Sequence, residues 1–152
     1  MIPFALTALL TCAGFLMAAS SVHAAEIREM TVFKSPWCSC CEVWTEALQS
    51  AGYSVKEHNL EDLSPVKKQA GVPANLQACH TALLDGYVIE GHVPLQAIDK
   101  LLTTGADVRG IATPGMPQGS LGMGYNEDAS YTVYSYTADA NAMPQPFYEA
   151  GR

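Results

Sequence analysis

Basic side chains are scarce in this sequence. Eight Lys and Arg face fifteen Asp and Glu, for a formal net charge of −7. A chain so acidic repels phosphate backbones, which excludes nucleic acid as a partner. No internal repeat is present, and after the first two dozen residues no apolar run is long enough to span a bilayer. Cysteine is also sparse, at five in 152 residues. That number is too small, and its placement too uneven, for a disulfide-built scaffold. Nor is one needed, because a domain of this length buries an adequate core by itself.

What is present begins with an apolar, uncharged stretch over residues 2–19, followed by Ser20-Ser21-Val22-His23-Ala24. Val22 and Ala24 satisfy the small-residue rule of a signal-peptidase site, with cleavage after Ala24 or Ala25. Residues 1–24 thus read as a signal peptide and the protein as exported to the periplasm, with no stable membrane anchor after cleavage. Only the terminal amine supplies positive charge to the leader, and an uncleaved anchor is the alternative. Cys12 leaves with the leader. Cys38, Cys40, Cys41 and Cys79 remain.

The mature chain alternates strands and helices. Met30-Thr31-Val32-Phe33 is short and β-prone. From Cys40, the residues Val43, Trp44, Ala47, Leu48 and Ala51 recur at helical spacing until Gly52. Residues 53–58 alternate as a second strand. Ser64-Pro65 reads as an N-cap and first-turn proline, opening a short helix that stops at Gly71. Residues 81–84 and 87–90 flank Asp85-Gly86, a hairpin signal. Pro94 starts a helix with a stripe of Leu95, Ile98, Leu101 and Leu102, ended by Gly105.

The order β-α-β-α-β-β-α is that of an α/β, thioredoxin-like fold with a sheet of four strands and helices on its faces. The domain runs over residues 25–126 and includes a Gly/Pro/Met loop at 113–124. Residues 127–152 form a C-terminal extension, with one added strand over 131–137 and a loosely ordered tail from Ala138.

The chemistry gathers in three motifs. In Trp37-Cys38-Ser39-Cys40-Cys41, Cys38 and Cys41 lie between the first strand and first helix. Free N–H groups and positive potential at a helix N-terminus favour thiolate there, which serves disulfide exchange and metal binding alike. Cys40 is placed on the inward face with Val43, Trp44 and Ala47, so three sulfurs converge. The bland alternative is a Cys38–Cys41 disulfide with Cys40 packed as a small apolar residue.

The second motif is Ala78-Cys79-His80-Thr81, at the start of the third strand. In a thioredoxin-like sheet this brings Cys79 to the same helix terminus. Strand alternation points His80 to the opposite face unless the chain is irregular there, so His80 is a weaker ligand candidate. Neither an Asp or Asn partner nor an oxyanion motif accompanies the Cys-His pair, which argues against hydrolysis.

The third motif, PGMPQGSLGM, holds Met116 and Met123 in a loop where no periodicity explains them as core. Thioether and thiolate are soft donors, and together they favour reduced copper over magnesium, calcium or manganese. Zinc could use the cysteines but gives no reason for the methionines. Gap-filling beneath the loop is the alternative role for both methionines. His92 reads as a structural hydrogen-bonding residue and His58 as solvent-facing.

The blocks WCSCC, GVPANLQACHT, DGYVIEGHVP and PGMPQGSLGM, in this order, resemble domain-of-unknown-function family 411, whose studied members include a periplasmic copper-resistance protein. The resemblance runs from about Met30 to Met123 and does not reach the tail beyond Asn126. It implies a thioredoxin-like fold whose Cys-x-Cys-Cys and Cys-His elements hold a thiolate-bridged, multinuclear copper cluster. By position, Cys38, Cys40, Cys41 and Cys79 carry that role, with His80, Met116 and Met123 as candidate outer ligands. The expectation is therefore a periplasmic protein of a copper-resistance system. It would bind Cu(I), change copper's oxidation state, and exchange copper with other periplasmic copper-handling proteins. The rival is a thiol-disulfide oxidoreductase using Cys38 and Cys41, and a third reading is a structural zinc or disulfide protein.

Overall fold

The structure is a computed structural model that describes residues 27–151. The leader, with Cys12, lies outside the described residues. Among the described residues no helix is long and apolar enough to cross a membrane.

The elements follow in the order β1 Glu29–Lys34, α1 Ser39–Ser50, β2 Ser54–Asn59, α2 Ser64–Ala70, β3 His80–Leu84, β4 Tyr87–Glu90 and α3 Leu95–Thr104. Three further strands complete the fold: β5 Gly110–Ala112, β6 Tyr131–Tyr136 and β7 Gln145–Ala150. All strands join one mixed α/β sheet in the order β2-β1-β3-β4-β5-β6-β7. The expected four-stranded sheet is therefore a seven-stranded one. At three residues, β5 is too short to show a period of two, and it is held by pairing with both β4 and β6.

The tail expected to be loosely ordered contains β7. Pro146 cannot donate to a ladder, but it sits on an edge strand beside the register shift at Val133 and Tyr134, where a missing donor is tolerated. Ser64 is already helical and Leu63 occupies the N-cap of α2, while the side chain of Asp62 accepts the Ser64 N–H. The β3–β4 hairpin forms as its dipeptide dictates. Asp85 and Gly86 take positive φ values of 49° and 85°, and Leu84 pairs with Tyr87 across a two-residue turn.

Alternation along the strands sorts their side chains into two apolar layers. Met30, Val32, Ala82, Leu84, Ile89 and Ile111 face α1 and α3, meeting Trp44, Leu48, Ile98 and Leu101. Val88, Ala112 and Tyr136 face the other way, toward Ala70 of α2 and the Val72–Leu76 region. Helices thus cover both sheet faces, and the junction of β1, α1 and β3 lies at one end of the layer under α1.

Candidate metal centre

Cys38 is the N-cap of α1, and its carbonyl accepts the N–H groups of Cys41 and Glu42 at 3.1 and 3.2 Å. Cys40 and Cys41 occupy the first turn. Cys41 is fully buried and shares a helix face with Trp44 and Leu48, three and seven residues on. Cys40, expected on that inward face, is only half-buried, and Val43 is 50% exposed. The apolar stripe begins one residue later than the expected phase, so Cys41 points inward and Cys40 toward the rim. Cys38 and Cys41 form a disulfide with their Cα atoms 5.2 Å apart, while Cys40 and Cys79 are free thiols.

Cys79 lies in a bend just before β3. It reaches the α1 terminus because β3 pairs antiparallel to β1, with His80 opposite Lys34 at the end where β1 feeds α1. The sulfurs of Cys38, Cys40, Cys41 and Cys79 all lie within 4.8 Å of one another, and those of Cys38 and Cys40 are 3.5 Å apart.

A second set of donors overlaps the first. One atom each from Cys41, Cys79, His80 and His92 also falls within 4.8 Å of the others. His80, expected on the opposite face from Cys79, joins it. As the first strand residue it points under α1, whereas the bend at Cys79 escapes strand alternation. The Nδ1 of His80 lies 3.4 Å from the Cys79 sulfur, and its ring packs 4.2 Å from Trp44 and 5.3 Å from His92.

His92, read from sequence as a hydrogen-bonding residue, is fully buried, and neither ring nitrogen has a partner at hydrogen-bond geometry among the described residues. The Nε2 of His80 is likewise unpartnered. Buried polar atoms are nearly always satisfied, so three imidazole nitrogens without a partner at hydrogen-bond geometry, beside the free Cys79 thiol, make a candidate ligand site. His58 is exposed, as expected.

The Gly/Pro/Met loop closes over this centre. A Cβ on Gly122, whose φ is 97°, would lie 2.5 Å from the Cys40 carbonyl oxygen and 3.3 Å from the His92 ring. Only glycine permits that approach. Met123 follows directly and is half-buried, whereas Met116 is 54% exposed on the same loop.

Burial pushes the Cys79 thiol up to about 12, with the neighbouring Cys40 adding to the effect. Burial also holds His80 well below its ordinary value, assisted by His92 and Lys67, and it lowers His92. Both imidazoles are therefore neutral and present lone pairs, while Cys79 must release a proton before its sulfur can coordinate.

These shifts predict how the metal-free protein responds to acid. Each histidine's folded value lies below the unfolded 6.5, so the unfolded chain binds more protons below that pH. Stability present above pH 6.5 is lost as pH falls below it, over a wider range for the deeply lowered His80 than for His92. Denaturant unfolding between about pH 7.5 and about pH 5.5 measures it, and His80→Gln should flatten the slope. Equal slopes for the wild type and this variant would refute the assignment.

Sequence reasoning missed two features here. His92 had a legible signal, since Gly91-His92-Val93-Pro94 sets a histidine at a strand end just before a helix. Its lack of a partner had none. Nor does any motif announce the buried pair of Lys67 and Glu90, which meet at 2.5 Å behind the Cys-His segment.

Comparison with known proteins agrees with this geometry. Residues 76–123, which contain Cys79, His80, His92, Met116 and Met123, match the family described as "Protein of unknown function, DUF411". No curated protein matches the chain. Two solved forms of a copper resistance protein, CopG, are similar in structure. Form 1 is 36% identical with a TM-score of 0.75, covering 84% of this chain and 100% of that one. Form 2 is 37% identical with a TM-score of 0.74, covering 82% and 98%. With that identity along the whole length of the relative, this chain belongs to the DUF411 family of CopG-like copper-resistance proteins.

Proposed function

We propose that this protein is a periplasmic copper-binding protein of a copper-resistance system, holding Cu(I) in a multinuclear site on a thioredoxin-like scaffold. One observation carries the reading: four cysteine sulfurs from two distant segments lie within 4.8 Å of one another. Thiolates select soft ions, and both structural relatives are forms of a copper resistance protein. Cys40 and Cys41 are chain neighbours that point to the rim and the core, so one tetrahedral ion is poorly served by both. Several ions sharing bridging sulfurs use each of them. His80 and His92 supply imidazole at the inner end, and Met116 and Met123 are thioether donors on the covering loop. Imidazole suits copper in either oxidation state, so a change of oxidation state at the site is part of the reading. The exchange partners are other periplasmic copper-handling proteins.

A disulfide sulfur is a poor ligand, so the four-thiolate set forms only after an external dithiol reduces Cys38–Cys41, the dithiol leaving as its own disulfide and the two freed thiols losing their protons on binding metal. That same disulfide favours a second reading. Cys38 is half-buried at a helix N-terminus while Cys41 is buried, the arrangement of an attacking and a resolving thiol in disulfide exchange.

One experiment separates the two. Anaerobically reduced protein, desalted against a competing chelator, should retain more than one copper per chain by elemental analysis. Cys40→Ser should lose most of that copper with its circular dichroism unchanged. Retention of a single zinc, or of no metal, would sink the cluster, and unchanged copper binding by Cys40→Ser alongside normal disulfide turnover would favour the oxidoreductase.

A further inference from the structure

Behind the metal centre, on the α2 side of the sheet, lies a buried ionic cluster that the copper reading does not use. Glu90 ends β4 with no solvent exposure. Its Oε1 accepts the Ala78 N–H at 2.7 Å and the Lys67 ammonium at 2.5 Å. Its Oε2 accepts the Thr81 hydroxyl at 2.6 Å, and Lys67 also donates to that hydroxyl at 3.0 Å. Lys67 comes from α2 and is itself buried.

The residues gripped are Ala78 and Thr81, and between them in the chain stand Cys79 and His80. One carboxylate thus holds both flanks of the Cys-His pair from the opposite face of the sheet. Ladder pairing holds His80 and Thr81, opposite Lys34, Phe33 and Glu90, but thins out at the two residues before them. Ala78 has a single bridge to Gly115, and Cys79 lies in a bend. On the strand side the His80 carbonyl accepts the Gly91 N–H at 2.9 Å. The Ala78 N–H has the Glu90 carboxylate as its acceptor.

Stability is a weak reason for such a cluster. Two desolvated charges cost much of what their attraction returns, and well-packed apolar replacements are often as stable. Geometry is the better reason, because a sulfur must be held closely to share in a compact metal site, and groups that orient ligands are worth a large part of the affinity. We propose that Glu90, braced by Lys67 and Thr81, is a positioning residue that fixes the segment 78–81 so that Cys79 completes the sulfur set. The proposal rests on the copper-binding reading for its metal readout and on the apoprotein for its backbone readout.

The test compares wild type with two double variants that remove the buried charge pair, so that no ion is left stranded. Lys67→Met/Glu90→Leu lacks the acceptor for the Ala78 N–H. Lys67→Met/Glu90→Gln restores an acceptor without charge. In metal-free reduced protein, amide hydrogen exchange at Ala78 should be at least about tenfold faster in the leucine variant and return to wild type in the glutamine variant. Cu(I) affinity, by competition with a chelator, should fall about tenfold to a hundredfold in the first and recover in the second.

Should the leucine variant fail to fold, the near-isosteric Thr81→Val loosens the same carboxylate and should speed Ala78 exchange about threefold, with a matching loss of Cu(I) affinity. Wild-type exchange and affinity in the leucine variant, or in Thr81→Val, would overturn the proposal, as would a glutamine variant no better than the leucine one. Failure of the wild type to bind copper would overturn the functional reading instead, while Ala78 exchange still decides the positioning role.

Discussion

Replacing Cys79 with serine should abolish most Cu(I) retention while leaving the protein folded. Cys79 is half-buried in a bend, contributes to neither apolar layer, and differs from serine by one atom. Fold stability should therefore change little. The metal site should change greatly, because Cys79 belongs to both donor sets, the four-sulfur one and the mixed one with His80 and His92. A hydroxyl is a hard, neutral donor and cannot replace a bridging thiolate. Groups that merely orient ligands are worth tenfold to a hundredfold in affinity, so loss of a ligand should exceed about a hundredfold.

Chelator competition under anaerobic conditions measures this. Peptide mapping of oxidised, metal-free protein adds an independent check, since the sulfurs of Cys40 and Cys79 are close and both are free. A crosslink between them requires Cα atoms within roughly 7 Å and would report that proximity directly. Full copper loading by Cys79→Ser, with Cys79 never crosslinked, would show the site to be wrongly drawn.

The second large effect falls on stability. Trp44→Ala should destabilise the metal-free protein by about 3–5 kcal/mol, because a large, fully buried ring leaves a cavity that the sheet cannot close. Its melting temperature should fall by roughly 10–20 °C. Trp44 sits between α1 and the strands, donates its indole N–H to the Val93 carbonyl at 2.9 Å, and packs on His80. It ties the core to the candidate metal centre through His80. Trp44→Phe should lose less, about 1–3 kcal/mol, chiefly by leaving the Val93 carbonyl unpaired. Denaturant unfolding of the reduced protein checks both. A loss below about 1 kcal/mol for the alanine variant would mean that the ring does not anchor the core.

Some of this was legible in the residues alone. Asp85-Gly86 specifies its hairpin because only a few residues accept positive φ at two successive positions. Gly71 and Gly105 end their helices in the left-handed conformation for the same local reason. The cluster Trp37-Cys38-Ser39-Cys40-Cys41 meets a helix start because the apolar period begins there. The phase of that helix is ambiguous by one residue in the sequence, since Val43 and Ala47 fit a stripe through Cys40 as readily as Trp44 and Leu48 fit one through Cys41. Only the position of the sheet chooses between them.

By itself, then, the sequence determined the order β-α-β-α-β-β-α over the first seven elements, the acidic surface charge, and a supply of soft donors in three motifs. Tertiary structure decided which donors meet. The antiparallel pairing of β3 with β1 brings Cys79 to the α1 terminus, and the close approach of Gly122 shuts the loop over Cys40 and His92. The strands β5 and β7 exist through their partners: one is too short to show a period, and the other carries a proline. The His92 ring nitrogens lack a partner at hydrogen-bond geometry among the described residues, and Glu90 grips the Cys-His segment from behind, through contacts between residues far apart in the chain. Turns and helix stops follow from the φ/ψ limits of one or two residues. A metal site depends on distances between segments, which are set only when the sheet is assembled.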